Sequence, residues 1–342
     1  MRKGAPDTAA TIKDISRCTG LGLATISKYL NGGNVRPKNK LAIDQAIADL
    51  HYTANEIARG LKTRRSRTVG IVIPELSNVF ITTVITAMED VLRRRGYAIL
   101  VCDCRMDADL ERQAVRFLVN KGVDGLISMP VDQTGDHLQP AWEKRLPVVV
   151  IDRMISKHAD RVDAVMVDNV RATQSAAEHL LSRGHRAIGI IVGARDIFTS
   201  EQRLLGCRQA MQARGLTLPA ARIRYGGYTV QGGYERMKRL LAAGDLTGVL
   251  VTNYDMTLGA MIAINEMGVK MPQDISFIGF DNLQLSKVVR PRLTIVDQPV
   301  QQIGMQAATL VLARLEEDAG APARQVTLQA DLQLGESVAD IR

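Results

Sequence analysis

The chain has 342 residues, enough for two or three domains, and its 44 Lys and Arg against 36 Asp and Glu give a net charge of +8. A hydrophobic fraction of 46% excludes a disordered chain, and apolar runs such as residues 148–151 are far shorter than the roughly 20 residues of a membrane span. Residues 1–67 hold 13 basic and 5 acidic side chains, whereas the remainder is balanced at 31 of each. This asymmetry predicts an N-terminal module for nucleic acid or an anionic surface.

The N-terminal sequence MRKGAPDTAA has basic residues but no apolar segment behind them, so we expect no signal peptide and a cytoplasmic protein. The cysteines have neither CxxC spacing nor paired histidines nearby. They are therefore predicted to be reduced, mostly buried thiols, and we expect no metal site. The cysteines are Cys18, Cys102, Cys104 and Cys207.

The N-terminal segment carries the signature of a helix-turn-helix. Thr11 with Asp14 three residues on predicts a capping box at the start of a first helix. Two glycines then precede a second helix predicted over residues 23–30, and Pro37 suits the first turn of a third. The alternative is a three-helix protein-interaction module. The positions expected to face inward or to follow at helical spacing are Ile12, Ile15, Cys18, Ile26, Tyr29, Leu30, Ile43, Ala46, Ile47 and Leu50.

The second helix is predicted to leave a set of DNA-contacting side chains exposed. In a helix-turn-helix, the N-terminal residues of the second helix face base edges in the major groove. Hydroxyl groups there bond phosphates or bases, and a lysine reaches guanine acceptors. The exposed residues are Leu23, Ala24, Thr25, Ser27 and Lys28.

Residues 68–342 alternate continuous β-branched runs with helix-period stretches, which predicts parallel sheets built from βαβ units. One large sheet, a barrel and two lobes all fit this pattern. The predicted strands are residues 69–74, 98–103, 125–130, 148–152, 164–168, 188–193, 249–253 and 275–280, and the predicted helices include 83–95, 108–120, 171–183 and 202–214.

Polar residues follow several of these strands. Ligands of open parallel sheets bind beyond the carboxyl ends of the strands, so this pattern favours a small-molecule cleft. The alternative is that the polar residues cap the helices that follow. They are Asp152, Arg153, Asp168, Asn169, Asn253 and Asp281.

Segments along the chain resemble, in order, the motifs of the LacI/GalR (lactose repressor) family of regulators. They include ATIKDISRCTGLGLATISKYLNGG, LHYTANEIARGLKTRRSRTVGIVIPELSNVF, HLLSRGHRAIGIIVG and LVTNYDMTLGAMIAINEMG. The resemblance implies an α/β fold: a three-helix headpiece with a hinge helix, then a periplasmic-binding-protein-like core of two Rossmann-like subdomains. The implied parts are a headpiece over 1–53, a hinge and linker over 54–67, and an effector-binding and dimerisation core over 68–342. The implied N-subdomain covers about 68–167 and 299–325, and the C-subdomain about 168–298 and 326–342.

The resemblance also implies how the protein meets DNA. Leu23, Ala24 and Lys28 match positions that read the major groove, while Leu61 of the hinge helix matches a residue that wedges into the minor groove. The alternative for Leu61 is packing on the core. The full set of implied DNA-binding residues is Thr11, Leu23, Ala24, Thr25, Ser27, Lys28, Asn31, Asn55, Arg59 and Leu61.

Four positions depart from the family pattern. The serine usual at the start of the recognition helix is Gly22, the usual arginine is Lys28, and the proline before the hinge asparagine is Ala54. Gly60 lies inside the hinge helix, where it costs about 1 kcal/mol relative to alanine. We therefore expect a hinge that forms only on the operator.

The effector site implied by the resemblance is a set of six side chains. Carboxylates, an amide and a guanidinium suit vicinal hydroxyls, and an aromatic ring stacks on a sugar face. A sugar, polyol or sugar acid is favoured over a purine. The alternatives are an internal salt bridge for the arginine and core packing for the aromatic residues. The six residues are Phe80, Asp152, Arg203, Tyr228, Asn253 and Asp281.

These features together predict a DNA-binding repressor that acts as a homodimer on a pseudo-palindromic operator of double-stranded DNA. No catalytic motif of the hydrolase, P-loop, zincin or dinucleotide-binding type is present in the sequence, so we expect neither catalytic residues nor a cofactor. The rival interpretations are a sugar-binding transport protein with the same core and a regulator that responds to a protein partner.

Overall fold

The computed structural model describes residues 10–30, 32–52, 65–281, 283–316 and 321–342. The chain divides into two compact units, Met1–Ser66 and Arg67–Arg342. Three of the predicted DNA contacts in the hinge, Asn55, Arg59 and Leu61, lie outside the described residues, as does Asn31.

The described part of the N-terminal unit is a three-helix module that begins at the predicted cap. The Asp14 carboxylate accepts hydrogen bonds from the amide and the hydroxyl of Thr11, at 2.9 and 2.7 Å. Gly20 ends the first helix in the left-handed conformation (φ +69°), which favours glycine. Pro37 opens the third helix as predicted. The helices are α1 (Ile12–Thr19), α2 (Leu23–Leu30) and α3 (Pro37–Asp49).

Four buried side chains form the core of this module: Ile15, Ile26, Ile43 and Ala46. Tyr29 and four of the other predicted inward residues pack around them, partly buried. Cys18 is exposed, so its expected burial was wrong. The position where the three helices meet is occupied by Ile15, and Cys18 one turn later lies on the open side of α1.

The second unit contains two six-stranded sheets. With strands numbered along the chain, the order from one edge to the other is β11-β5-β4-β3-β1-β2 in the first sheet and β12-β10-β9-β8-β6-β7 in the second. Every described strand pairing is parallel except that of β10 with β12. The first sheet's strands are β1 (Thr68–Ile73), β2 (Ala98–Asp103), β3 (Gly125–Ser128), β4 (Val148–Ile151), β5 (Asp163–Val167) and β11 (Gln325–Leu328). The second sheet's are β6 (Ile188–Val192), β7 (Ile223–Tyr225), β8 (Gly248–Val251), β9 (Ser276–Phe280), β10 (Thr294–Asp297) and β12 (Asp331–Gln333).

Helices cover both faces of each sheet, which is why the strands inside the two sheets are almost entirely buried, whereas the edge strands are partly exposed. The helices are α4 (Val79–Arg94), α5 (Ala108–Asn120), α6 (Gln139–Glu143), α7 (Asn169–Ser182), α8 (Phe198–Gln212), α9 (Val230–Ala242), α10 (Tyr254–Glu266), α11 (Leu283–Val288) and α12 (Val300–Glu316). No helix among the described residues has the length and apolar character needed to cross a membrane.

The chain passes between the two sheets three times: after β5, after β10 and after β11. The first two passages fall where the subdomain division was expected. The third does not, because Gln325–Leu328 pairs with β5 in the first sheet, so the division expected between residues 325 and 326 moves beyond Leu328. We call the part built on the first sheet the first subdomain and the part built on the second sheet the second subdomain.

One histidine of the first subdomain lies away from solvent. His137 is fully buried, between the carboxylates of Glu111 (3.5 Å) and Asp132 (3.7 Å). Burial lowers the pKa of His137 to about 4, so the ring is neutral near pH 7. The short helical turn at Asp136–Leu138 folds this side chain under α5, which no local pattern in the sequence indicates.

Candidate functional site

A cavity of about 290 Å³ lies at the carboxyl ends of strands from both sheets. The structure brings all six predicted cleft residues into its lining. Four of them directly follow, or lie close behind, the ends of β4, β7, β8 and β9, and the other two lie on α4 and α8. They are Phe80, Asp152, Arg203, Tyr228, Asn253 and Asp281.

Arg203 is held by neutral groups. Its Nε donates to Oδ1 of Asn169 at 2.7 Å and its Nη1 to the carbonyl of Thr252 at 2.6 Å. The guanidinium carbon lies 4.5 Å from the centre of the Phe280 ring. Within the described residues Arg203 makes no ion pair within 4 Å, so the internal salt bridge considered from the sequence is not formed. Arg203 is 4% exposed and lines the cavity, and its guanidinium has more donors than these two hydrogen bonds use.

The hydroxyl end of Tyr228 is fixed by its surroundings. Its hydroxyl lies 2.7 Å from the hydroxyl oxygens of Thr199 and Ser200, in the first turn of α8. A side chain at Gly193 would overlap the Tyr228 ring, since a Cβ there would lie 2.0 Å from a ring carbon. The hydroxyl end of the ring therefore lies close against the backbone just after β6, and Tyr228 lines the cavity.

Asp281 follows β9 and faces Gln298. Nε2 of Gln298 donates to both carboxylate oxygens, at 2.9 and 2.8 Å. Burial raises the pKa of Asp281 to about 6, while the Arg203 charge and the bonds from Gln298 oppose that rise. Oε1 of Gln298 is buried without a hydrogen-bond partner among the described groups.

Asp152 and Arg153 form a second polar pair after β4. Arg153 is 4% exposed, and its Nε lies 3.7 Å from the Asp152 carboxylate and has no hydrogen bond within the described structure. Nη1 donates to the carbonyl of Pro130 at 3.3 Å, and the guanidinium stands 5.5 Å from the centre of the Tyr228 ring. Nη1 and Nη2 also donate to Sδ of Met106 at 3.8 Å, a weak acceptor. A buried cation with only these partners among the described residues is one that a ligand's oxygens would satisfy.

Three of the six cleft residues have a backbone conformation that side chains rarely adopt. Asp152, Tyr228 and Asp281 have φ of +62°, +63° and +59°. Each non-glycine residue in this region costs on the order of 1 kcal/mol, and such residues concentrate at functional sites. The strain places the three side chains into the cavity at the strand ends.

The capping alternative holds for two of the strand-end residues. Oδ1 of Asp168 accepts the amide of Arg171 at 3.0 Å, and Asp168 does not line the cavity. Oδ1 of Asn253 likewise caps α10 through the amide of Met256, but Asn253 also lines the cavity. Asn253 therefore has both roles, with its amide nitrogen as the remaining donor.

Sequence reasoning missed several residues of the lining. Arg153 follows a predicted strand but is not one of the six residues that the family resemblance implies, and Gln298 follows β10, a strand that was not predicted. Asn78 precedes a helix that begins at Val79 rather than at residue 83. The other lining residues not predicted include Glu75, Arg105, Met106, Met129, Thr199 and Asp255.

In the N-terminal unit the predicted DNA-contacting residues differ in solvent exposure. Leu23 (45% exposed), Ala24 and Lys28 are exposed on α2, as is Thr11 before α1. Thr25 and Ser27 are partly buried. A Cβ at Gly22 would meet nothing within 4 Å, so the residue before α2 has open space.

No group of His, Cys, Asp and Glu among the described residues could hold a metal ion. Burial raises the pKa of the Cys104 and Cys207 thiols to about 12, so both are protonated at neutral pH. The cavity thus offers hydrogen bonding and charge to a small molecule.

Comparison with known proteins identifies the relatives of this chain. Residues 177–338 match the periplasmic binding protein-like domain. The HTH-type transcriptional repressor PurR of Pasteurella multocida (strain Pm70) is 32% identical over 312 residues, which cover 90% of this chain and 92% of that protein. Catabolite control protein A of Priestia megaterium is 30% identical over 311 residues, 90% of this chain and 93% of that protein.

Solved structures show the same architecture. A complex of the transcriptional regulator CelR with cellobiose is 26% identical, has a TM-score of 0.74, and is matched over 96% of this chain and 99% of that chain. A regulator from Enterococcus faecium with bound ribose is 27% identical with a TM-score of 0.72, over 80% of this chain and 100% of that one. The lac repressor dimer on its operator, 24% identical, has a TM-score of 0.87 over 97% and 100% of the two chains and shows the shared fold.

Proposed function

The chain belongs to the LacI family of transcriptional regulators, and we propose that it is a repressor whose operator affinity is controlled by a sugar or sugar derivative bound between the two subdomains of its core. The observation that carries this proposal is the cavity. Six polar or aromatic side chains from both subdomains converge there on a volume of about 290 Å³, near the lower end of the roughly 300–1,000 Å³ typical of ligand pockets.

The chemistry of the lining favours a compact polyhydroxylated ligand. Asp152, Asp281 and Asn253 offer acceptors and a donor, Arg203 offers a donor fork, and the Tyr228 ring offers an apolar face. Vicinal hydroxyls on a pentose or hexose present this alternation of donors, acceptors and C–H faces. The complexes of relatives with cellobiose and ribose support a sugar over a purine.

The DNA-binding part of the proposal rests on the N-terminal unit. Leu23, Ala24 and Lys28 are the exposed side chains at the face of α2 that a helix-turn-helix presents to the major groove. Thr25 and Ser27, partly buried, are proposed to support that face through backbone or packing contacts. The concentration of the whole charge excess in residues 1–67 supports an attraction to phosphates.

A homodimer is proposed because a pseudo-palindromic operator requires two recognition helices. Apolar side chains exposed on the second unit are candidates for its interface, among them Leu76, Val79 and Phe117 on the first subdomain and Ile262 and Val288 on the second. Effector binding would shift the closure of the two subdomains, and a difference of about 1–3 kcal/mol in operator affinity is the usual size of such coupling.

The proposal is tested by thermal shift on a ligand panel of sugars, polyols, sugar acids and purine bases. A ligand at 100 times its Kd stabilises the folded protein by about 2.7 kcal/mol, which a melting curve resolves. We expect one sugar class to raise the Tm of the wild type. Stabilisation by a purine alone would replace the sugar assignment, and no stabilisation by any class would contradict the small-molecule effector.

A further inference from the structure

One hydrogen bond crosses the cleft at the edge of the cavity. Nδ2 of Asn78, in the first subdomain, donates to Oδ2 of Asp255, in the second, at 2.6 Å, although the residues are 177 positions apart. Both side chains line the cavity, and Asn78 is 8% exposed.

Each partner of this bond is held at the N-terminus of a helix, Asn78 as the cap of α4 and Asp255 in the first turn of α10. Oδ1 of Asn78 accepts the amide of Ile81 at 3.1 Å and caps α4, so the Nδ2 group is the part of the amide left to point across the cleft. Asp255 lies in the first turn of α10, which Asn253 caps. The donor and the acceptor are therefore positioned before any ligand arrives.

The electrostatics of the contact explain why a carboxylate suits it. The N-termini of α4 and α10 approach this point from opposite subdomains, and each carries a partial positive charge from the helix dipole. The Asp255 carboxylate lies in the first turn of α10 and is bonded to Asn78, the residue that caps α4, so it is close to both helix N-termini. Without it, two positive helix ends would face each other across the cleft.

Two effects limit the strength of the contact. Burial raises the pKa of Asp255, and the carboxylate of Glu75 on the first subdomain raises it further, while the bond from Asn78 lowers it. The contact is thus a balance between a charge-assisted hydrogen bond and the cost of holding a carboxylate near another one. Such a contact can break and re-form when the cleft opens.

We propose that Asn78 and Asp255 form a latch that holds the two subdomains closed over the cavity, with Asp255 acting as a positioning residue for the effector. Only the expected effect of the latch on ligand affinity rests on the proposed function; its effect on the closure of the two subdomains does not. In the ligand-free protein it sets the population of the closed cleft. Because the latch already favours the closed cleft, a ligand spends less of its binding free energy on closing the subdomains. Breaking the latch should therefore weaken the affinity for the ligand.

The chain offers a matched set of variants to test this. Asn78→Asp keeps an oxygen that caps α4 but removes the donor and adds a negative charge. Asp255→Asn removes the charge but keeps an acceptor. The double variant N78D/D255N exchanges amide and carboxylate and so restores a donor–acceptor pair. Asp109→Asn is the control, because Asp109 also lies in the first turn of a helix but pairs with Arg112 of the same helix.

The first readout is hydrogen–deuterium exchange of the ligand-free, full-length variants in peptides that cover residues 78–84. N78D should raise exchange there and in residues 254–260, on the opposite subdomain, by about tenfold, which corresponds to about 1.4 kcal/mol. D255N should give a smaller rise in both segments. N78D/D255N should return both towards wild type, and D109N should change neither.

Exchange in residues 254–260 that stays at the wild-type level in N78D, or a double variant no better than N78D, would overturn the latch. The second readout is affinity for whichever sugar stabilises the wild type, which N78D should weaken about tenfold and the double variant restore. If no sugar stabilises the wild type, the proposed function fails while the exchange result still decides the latch.

Discussion

The two units of this chain differ in the size of their hydrophobic cores and in how far apart along the chain their functional residues lie. The described part of the N-terminal unit is closed by four buried side chains, and its predicted functional residues are mainly exposed on one short helix. In the second unit, two six-stranded sheets are buried on both faces, and the cleft residues come from positions as far apart as Phe80 and Gln298. A DNA-reading surface can be carried by a marginal local fold, whereas a cavity for a small molecule needs a rigid scaffold that gathers distant residues.

The difference also appears in how each unit treats its charges. The Lys28 side chain is exposed to water, where its charge is inexpensive. Arg153 and Arg203 are each 4% exposed, and Nε of Arg153 has no hydrogen-bond partner among the described residues. Arg314, by contrast, is fully engaged, with two bonds of 2.6–2.7 Å to the Asp163 carboxylate. Buried charge of the first kind indicates a site, and of the second kind a structural tie.

The largest expected effect separates the stabilities of the two units. Ile26→Ala removes one of four buried residues and should destabilise the N-terminal unit by about 3 kcal/mol, which a module of this size cannot tolerate. Operator binding should be lost while the thermal transition of the second unit stays unchanged. Ile190→Ala, at an equally buried position of β6, is the matched control. It should lower the Tm of the second unit but leave it folded, as calorimetry would show; a single shared transition would contradict the separation.

The next effect tests the role of the buried arginine in the cleft. Arg203→Ala removes a guanidinium whose protein partners are neutral, and loss of one buried charged partner weakens binding by about 3 kcal/mol, or about a hundredfold. Thermal shift with the best sugar of the panel should show no stabilisation. Operator binding without ligand should persist. An unchanged ligand response in a folded variant would remove Arg203 from the site.

A smaller effect concerns the pH dependence of stability. Because the folded-state pKa of Asp281 is raised from 3.8 to about 6, the folded protein holds this proton more tightly than the unfolded chain. The contribution of Asp281 to the free energy of unfolding is therefore present near pH 4 and falls as the pH rises to about 6. Asp281→Asn should be more stable than wild type at pH 7 by on the order of 1 kcal/mol and equal to it near pH 4.

Denaturant unfolding at pH 4, 5, 6 and 7 measures this difference, and other titrating groups cancel between the two proteins. The new amide can be accommodated if Gln298 turns, because Oε1 of Gln298 has no partner among the described groups. A variant less stable than wild type at pH 7 would show that the ionised carboxylate is a net stabilising group.

The smallest effect is a gain in the N-terminal unit. Gly22→Ser places a hydroxyl before α2, where a Cβ meets nothing within 4 Å, and such a cap adds a few tenths of a kcal/mol to the helix. A phosphate contact from the same hydroxyl should bring the gain in operator affinity to about threefold, measured by fluorescence anisotropy. Gly22→Ala, which adds a Cβ without a hydroxyl, should not show this gain.

Local signals predicted most of the fold. The capping box at Thr11, the turn at Gly20 and the proline at position 37 fixed the three N-terminal helices, and eight continuous apolar runs matched strands to within two residues. The four strands that were missed are short, with three or four residues; three of them are edge strands and the fourth, β10, lies beside an edge strand. Their identity depends on the neighbour they pair with, which no local pattern records.

The site residues that directly follow a predicted strand could be predicted from the sequence. Those that depend on a contact between distant parts of the chain could not. Asp152, Asn253 and Asp281 follow buried strands, and all three line the cavity. Asn78 and Asp255 were not predicted because their contact depends on the approach of two subdomains. The burial of His137 likewise has no local signal in the sequence, because it results from the packing of a loop under α5.

The central claim is that a sugar in the cavity controls operator binding. The most direct measurement is the affinity of the full-length protein for an operator obtained by selection from random DNA, at fixed near-physiological salt, with and without the sugar that raises the Tm most. We predict an enriched palindrome and an affinity that changes at least tenfold on addition of the sugar, which corresponds to about 1.4 kcal/mol of coupling. An operator affinity that is identical with and without a sugar bound to the cavity would contradict the account.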